Sequence, residues 1–186
     1  MLLAESRRPI LVKAATDFVT LMTYKAWADD RLYEALKDVP QTELIARRET
    51  ILGGILRALN HVYGMDLVWQ AHLEGRPHGF TDRRPEIFSE LSCLCTAQQE
   101  IDAWYIDYAT AMDPESARTV VDFEFIGGGA GSMTRSEVLL HVVMHTSYHR
   151  GHVTDMMCQI PAQPPITDLP VFLREGGRPI LAPSGD

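Results

Sequence analysis

The chain has 186 residues, 46% of them hydrophobic, with a mean hydropathy of -0.08 and a formal net charge of -8. That is enough chain to bury a full core without metal or disulfide staples, so a metal implied by the residues would be functional and not structural. The acidic balance excludes a nucleic-acid stripe: Arg7-Arg8, Arg47-Arg48 and Arg83-Arg84 are scattered short clusters, read as solvated helix ends. No run approaches the roughly 20 apolar residues of a membrane span, and no apolar signal block precedes Arg7, so a cytoplasmic protein is expected.

A first helix is predicted from about residue 10 to 39, entered through Pro9 and ended by Pro40, with Leu11, Ala15, Phe18, Met22, Leu32 and Leu36 on one face. Lys25 and Asp29 interrupt that face one turn apart. They can pair, reach into a polar cavity, or mark a solvated bulge. A second helix, about 49–74, presents Ile51, Ala58, Val62, Met65 and Trp69, with His61 at the edge of the stripe, and stops at Gly75, Pro77 and Gly79. His72 is about 16 Å beyond His61 along such a helix, too far to share one ion, and His72 and His78 are read as surface residues. A third helix, about 85–112, carries Ile87, Leu91, Leu94, Ile101, Trp104, Tyr105 and Tyr108.

The period then changes. Val121 to Phe125 alternate apolar and polar before Gly127, Gly128, Gly129 and Gly131, which predicts a short strand or hairpin. The glycines lack the Lys-Ser/Thr of a phosphate loop and the GxGxxG register. Thr134 and Glu137 form a capping box that opens a fourth helix, about 134–160. The tail, 161–186, is rich in proline and glycine, with a short apolar segment from Leu169 to Leu173 that fits one or two helical turns. With no repeat and no second core, the expectation is one domain over 1–186: all-α, a four-helix bundle with a short β-hairpin before the fourth helix. Cys93, Cys95 and Cys158 match no zinc-thiolate spacing.

The chemistry concentrates in the fourth helix. His141, His145, His149 and His152 fall within an arc of roughly 80°, the arc that Val138, Val142, Val153 and Met156 mark as inward-facing. A dry unpaired imidazole costs free energy, whereas one that gives its lone pair to a metal and its N–H to an acceptor is satisfied at both nitrogens. His145 and His149, one turn apart, can reach one ion from the same side. A third ligand must come from another helix, and His61 is the second-helix histidine near an inward face. Three imidazoles leave one position of a tetrahedral ion open, as in catalytic zinc sites, and zinc, nickel, iron and cobalt all accept imidazole. Thr146 stands where zincin proteases carry a glutamate, which argues against that peptidase chemistry. His141 and His152 fit as ligands or as cavity residues beside the ligands, and are placed outside the ligand set.

Four segments carry a family resemblance: "YKAWADDRL" at Tyr24 to Leu32, "LNHVYGMDLVW" at Leu59 to Trp69, "LLHVVMHTSYHRGHV" at Leu139 to Val153, and "TDLPVFLRE" in the tail. Through them the chain resembles the DinB-like (DinB/YfiT) metal-binding four-helix bundles. The resemblance implies an antiparallel bundle with a long crossover, a homodimer in many members, and a three-histidine site at His61, His145 and His149. This chain departs from the family at His152, where a Gln-like residue is usual, and at Lys25 and Asp29, where amides are frequent. Arg150 and Gly151 are expected to form an ion pair and to allow a close helix approach.

Family resemblance implies a metal-dependent enzyme acting on a small molecule: relatives include thiol S-transferases that use low-molecular-weight thiols, a thiol-dependent isomerase, and hydrolases. A zinc or nickel ion, or less commonly iron or cobalt, would acidify a thiol or a water. Lys25, Asp29 and Asp66 are the candidates for orienting substrate or carrying protons. Two other readings are a non-catalytic metal-binding stress-response protein and a bundle whose histidines only sense pH. No nucleic-acid or membrane partner is expected.

Overall fold

A computed structural model describes residues 14–176 of the chain. Pro9, Leu11, the Arg7-Arg8 pair, the Ala15 side chain and the tail after Gly176 lie outside the described residues.

The chain folds as α1 (Ala14–Leu36), α2 (Gln41–Ile45), α3 (Ile55–Leu73), α4 (Leu91–Ala111), a 3-10 turn (Ser116–Arg118), β1 (Val120–Glu124), β2 (Ala130–Thr134), α5 (Arg135–Met157) and α6 (Leu169–Arg174). The described residues are mostly helical with one small antiparallel sheet; α2 adds to the helices predicted, and α6 is the short helical segment read at Leu169 to Leu173. Helix α1 packs on α4 and α5, and α3 packs on the same two helices. In the hairpin Val120 pairs with Thr134 and Phe123 with Gly131, and the alternation turns Val121 and Phe123 inward. Thr134 accepts from the Glu137 backbone N–H while the Glu137 carboxylate accepts from Thr134 N–H, the reciprocal cap the spacing predicts.

Two helix starts differ from the sequence reading, each for a local reason. Helix α3 begins at Ile55 and not at Glu49, because Gly53 takes a φ of 77°, outside helical space. Ile51 is therefore on an exposed turn and not on the buried face. Helix α4 begins at Leu91 and not at Pro85, since residues 85–90 run as a strap held to α3 by Asn60. The Asn60 carbonyl accepts from Ile87 N–H and Phe88 N–H at 2.9 and 2.8 Å, and its amide donates to Phe88 O at 2.9 Å. Backbone groups satisfied in this way have no need of a helix. Pro40 caps the start of α2 as well as following α1.

Two apolar clusters sit at opposite ends of the long helices. Met22, Trp69, Ile101, Tyr105 and Leu139 belong to one; Leu32, Ile55, Leu59, Leu94, Val153 and Met156 belong to the other. Between them, in the order of each helix, lies a belt of buried polar side chains: Lys25 and Asp29 on α1, His61 and Asp66 on α3, Gln98 and Asp102 on α4, and Thr146, His149 and Arg150 on α5. No helix among the described residues is long and apolar enough to cross a membrane.

Candidate metal centre

Helices α3 and α5 bring three imidazoles together. His61 Nε2 stands 3.2 Å from His145 Nε2 and 3.2 Å from His149 Nε2, and ring nitrogens of all three lie within 4.8 Å of one another. Among the described residues this is the one His/Cys/Asp/Glu group with that geometry. His61 and His149 are buried and His145 is half-buried, so the group opens on the His145 side.

The tautomers follow from the partners. Arg83 O lies 2.5 Å from His61 Nδ1, and a carbonyl only accepts, so Nδ1 carries the proton and Nε2 of the neutral ring offers a lone pair. One lone pair then faces two neighbouring Nε2 atoms. A cation between the three rings would take a lone pair from each. Two nitrogens bound to one tetrahedral zinc at about 2.0–2.1 Å stand about 3.3–3.4 Å apart, close to the 3.2 Å found. The His61–Arg83 bond is the orienting contact that metal-ligating histidines make through their other nitrogen. The donor set therefore fits a divalent transition metal.

Burial lowers the pKa of all three rings. His145 is taken to about 3, by burial first and then by His149, His61, His141 and the Lys25 ammonium. His149 is taken to about 4, by burial and then by His61 and His152. His61 also moves down through burial, assisted by Arg84 and opposed by the Arg83 bond and by Asp66. Neutral rings are the ligating form, so at neutral pH these rings have no proton to lose before binding.

The backbone acceptor is itself positioned. Arg83 Nε and Nη2 donate to Ile126 O at 3.2 and 3.0 Å, tying the 83–85 segment to the hairpin. Pro85 lies over Gly64, three residues after His61 on α3, where a Cβ would meet Pro85 Cγ at 2.6 Å. Arg83 and Arg84 are thus exposed loop residues beside the site and not a helix end, while just beyond α2 Arg47 is exposed and Arg48, whose side chain is only 7% exposed, pairs with Glu43 at 2.9 Å.

His141 stacks on His145 at 5.7 Å between ring centroids and packs edge-on to Trp69 at 4.8 Å. His152 Nδ1 lies 3.3 Å from His149 Nδ1. His72 and His78 are half-buried and pack on each other at 5.2 Å, apart from the three-ring group. Cys93 and Cys158 are exposed and Cys95 is half-buried.

Lys25, Asp29 and Asp66 converge on one another, not on the imidazoles. The Lys25 ammonium, 1% exposed, touches Asp66 at 2.8 Å, Asp29 at 3.2 Å and also Asp102. Gln98 donates to Asp66 at 2.9 Å and to Asp102 at 3.1 Å, and Arg150 reaches Asp29 at 3.4 Å. The Arg150 ion pair matches expectation. Gly151 does not: it is exposed, and a Cβ at that position would meet nothing within 4 Å, so no helix among the described residues approaches there. Sequence reading passed over Gln98 and Asp102, although they interrupt the apolar run of Leu94, Ile101 and Tyr105 just as Lys25 and Asp29 interrupt theirs.

The chain is similar to known proteins in three comparisons. The sequence profile described as the DinB family matches residues 12–178. The Protein DinB of Bacillus subtilis (strain 168) is 26% identical over 159 residues, spanning 82% of this chain and 91% of that protein. The crystal structure of a DinB-like protein from Bacillus cereus ATCC 10987 has a TM-score of 0.63 at 17% identity, covering 80% of this chain and 94% of that one, a likeness of fold.

Proposed function

Because the chain belongs to the DinB family, we propose that it is a divalent-metal protein in which His61, His145 and His149 hold the ion, and that it is a metal-dependent enzyme acting on a small molecule. The observation that carries the reading is the single His61 lone pair set 3.2 Å from two other Nε2 atoms while Nδ1 is committed to Arg83 O. When bound, a zinc or nickel ion would acidify a thiol or a water and make a nucleophile near neutral pH.

The chain's own residues have separate tasks in this reading. His61 is oriented by the Arg83 carbonyl, and the hairpin holds that carbonyl through Ile126. Burial of His61 and His149 keeps water from two sides, while half-buried His145 and its neighbour His141 leave one side for substrate. Peptide hydrolysis of the zincin type is disfavoured, since Thr146 is buried and holds no carboxylate to act as base. The same reading takes the four long helices as an antiparallel bundle with a long crossover, and the working form as a cytoplasmic homodimer.

The test has two stages. Elemental analysis of tag-free protein purified without chelator is expected to find a transition metal near one equivalent; less than about a tenth of an equivalent speaks against the site. Consumption of a low-molecular-weight thiol by an electrophile is then compared between wild type and His149→Ala. Equal rates would sink the transferase reading for those substrates, and a metal-loaded protein inactive on every thiol and ester tried would favour the non-catalytic metal-binding role.

A further inference from the structure

Two cations and three carboxylates are packed into one buried cluster. Helix α1 contributes Lys25 and Asp29, α3 contributes Asp66, α4 contributes Asp102, and α5 contributes Arg150; none of these side chains is more than 7% exposed. The phenols of Tyr33 and Tyr105 face the same cluster, and the Tyr105 hydroxyl donates to Asp66 O at 2.7 Å. With every group ionised the cluster would carry one uncompensated negative charge among side chains that are almost fully buried, a state that burial strongly disfavours.

We propose that the three carboxylates of this cluster share one exchangeable proton, and that the cluster is the proton acceptor for chemistry at the three-histidine centre, emptied when a divalent cation binds there. The coupling rests on the metal reading above.

Two observations connect the cluster to the centre. A cavity of about 10 Å³ is lined by His149 on one side and by Asp29, Gln98 and Arg150 on the other, the space that one water requires. Three oxygens of residues lining it, Tyr33 Oη, Gln98 Oε1 and Thr146 Oγ1, are buried and have no hydrogen-bond partner among the described residues. The same two helices also carry both groups: Asp66 follows His61 on α3, and Arg150 follows His149 on α5. A double positive charge between those rings would favour the ionised forms of the carboxylates.

The titration supports the geometry. Asp102 is raised to about 7, by burial first, with Asp29 and Asp66 adding to the rise and Lys25 opposing it. Asp66 is raised by burial against Lys25 and Gln98. At Lys25 burial presses toward neutrality, but Asp102, Asp66 and Asp29 outweigh it and hold the ammonium charged. The stored proton is therefore on a carboxyl and not missing from the lysine. When a thiol or water at the centre becomes a nucleophile, its S–H or O–H bond breaks with the electron pair left on sulfur or oxygen. The proton passes to the carboxylate cluster, whose own proton left to solvent when the cation bound, and charge balances.

Aspartate 13Cγ shifts of the metal-free full chain, followed from about pH 5 to about pH 9, test the stored proton. One buried carboxyl is expected to titrate near neutrality in wild type, and the step is expected to vanish in Asp102→Asn. Flat shifts for all three buried carboxyls would overturn the proposal. Adding Zn2+ to weakly buffered protein at about pH 7 tests the coupling: wild type should release about half a proton more than Asp102→Asn, because the imidazoles are already neutral. Equal release from two proteins that both bind Zn2+ would overturn it. If Asp102→Asn fails to fold, Asp29→Asn restores the same balance of two cations and two carboxylates and takes its place. A chain that binds no Zn2+ refutes the metal reading and the coupling with it, while the carboxyl titration still judges the stored proton.

Discussion

Pro85 rests on the α-carbon of Gly64: a methyl group there would stand 2.6 Å from Pro85 Cγ. The contact lets the 83–85 segment lie against α3, so that the Arg83 carbonyl meets His61 Nδ1 one turn earlier on the helix.

Gly64→Ala should therefore act on the metal site from a distance. The added methyl must push Pro85 away and carry the Arg83 carbonyl off His61, with a loss of about 10- to 100-fold in metal affinity. Stability should change less, since overpacking of about 1–3 kcal/mol is offset by about 1 kcal/mol of helix propensity. Zinc titration and thermal unfolding measure the two effects, and an unchanged affinity would refute the link.

The ligand set predicts a contrast between two histidine pairs. His145→Ala and His149→Ala should lose the metal, whereas His72→Ala and His78→Ala, whose rings stand apart from the three-ring group, should keep it. Metal content of the purified variants is the readout, and full occupancy in the first pair would refute the assignment.

Acid sensitivity has a defined sign. His145 is held at about 3 in the folded chain against about 6.5 when unfolded, so between these values the unfolded state binds the extra proton and stability falls as pH falls. Metal-free His145→Asn lacks this penalty. Its melting temperature relative to wild type should rise as pH is lowered from about 7 to about 5. A difference that stays constant over that range would show that His145 titrates normally.

Lys25→Met should be among the most damaging single changes in the chain. It leaves Asp29, Asp66 and Asp102 buried around an apolar tip, and breaking a buried pair in this way costs about 3–5 kcal/mol. The loss should shrink at lower pH, where protonation relieves the carboxylates, and denaturant unfolding at two pH values measures it. A cost below about 1 kcal/mol would mean that the cluster is not held by its ammonium.

Local spacing was enough to read much of this protein from its residues. The histidine stripe of α5, the Thr134–Glu137 cap, the alternating strand before the glycines and the polar breaks at Lys25 and Asp29 are set by neighbours within a few positions, where the helical and extended periods fix which side chains share a face. The spacing of His145 and His149 likewise follows from one helical turn. What tertiary structure decided is everything that depends on how one helix is seated against another. The strap at residues 85–90, the arrival of the Arg83 carbonyl at His61, and the meetings of Asp102 with Lys25 and of Gln98 with Asp66 are contacts between residues far apart in the chain, and the first two are made by backbone groups that carry no side-chain signature. Side-chain identity marks Gln98 and Asp102 as breaks in an apolar run, but not the partners they meet. Those contacts arise because two apolar ends pack, and packing them brings the polar belt of four helices to one level, where each buried charge and ring nitrogen must find its partner.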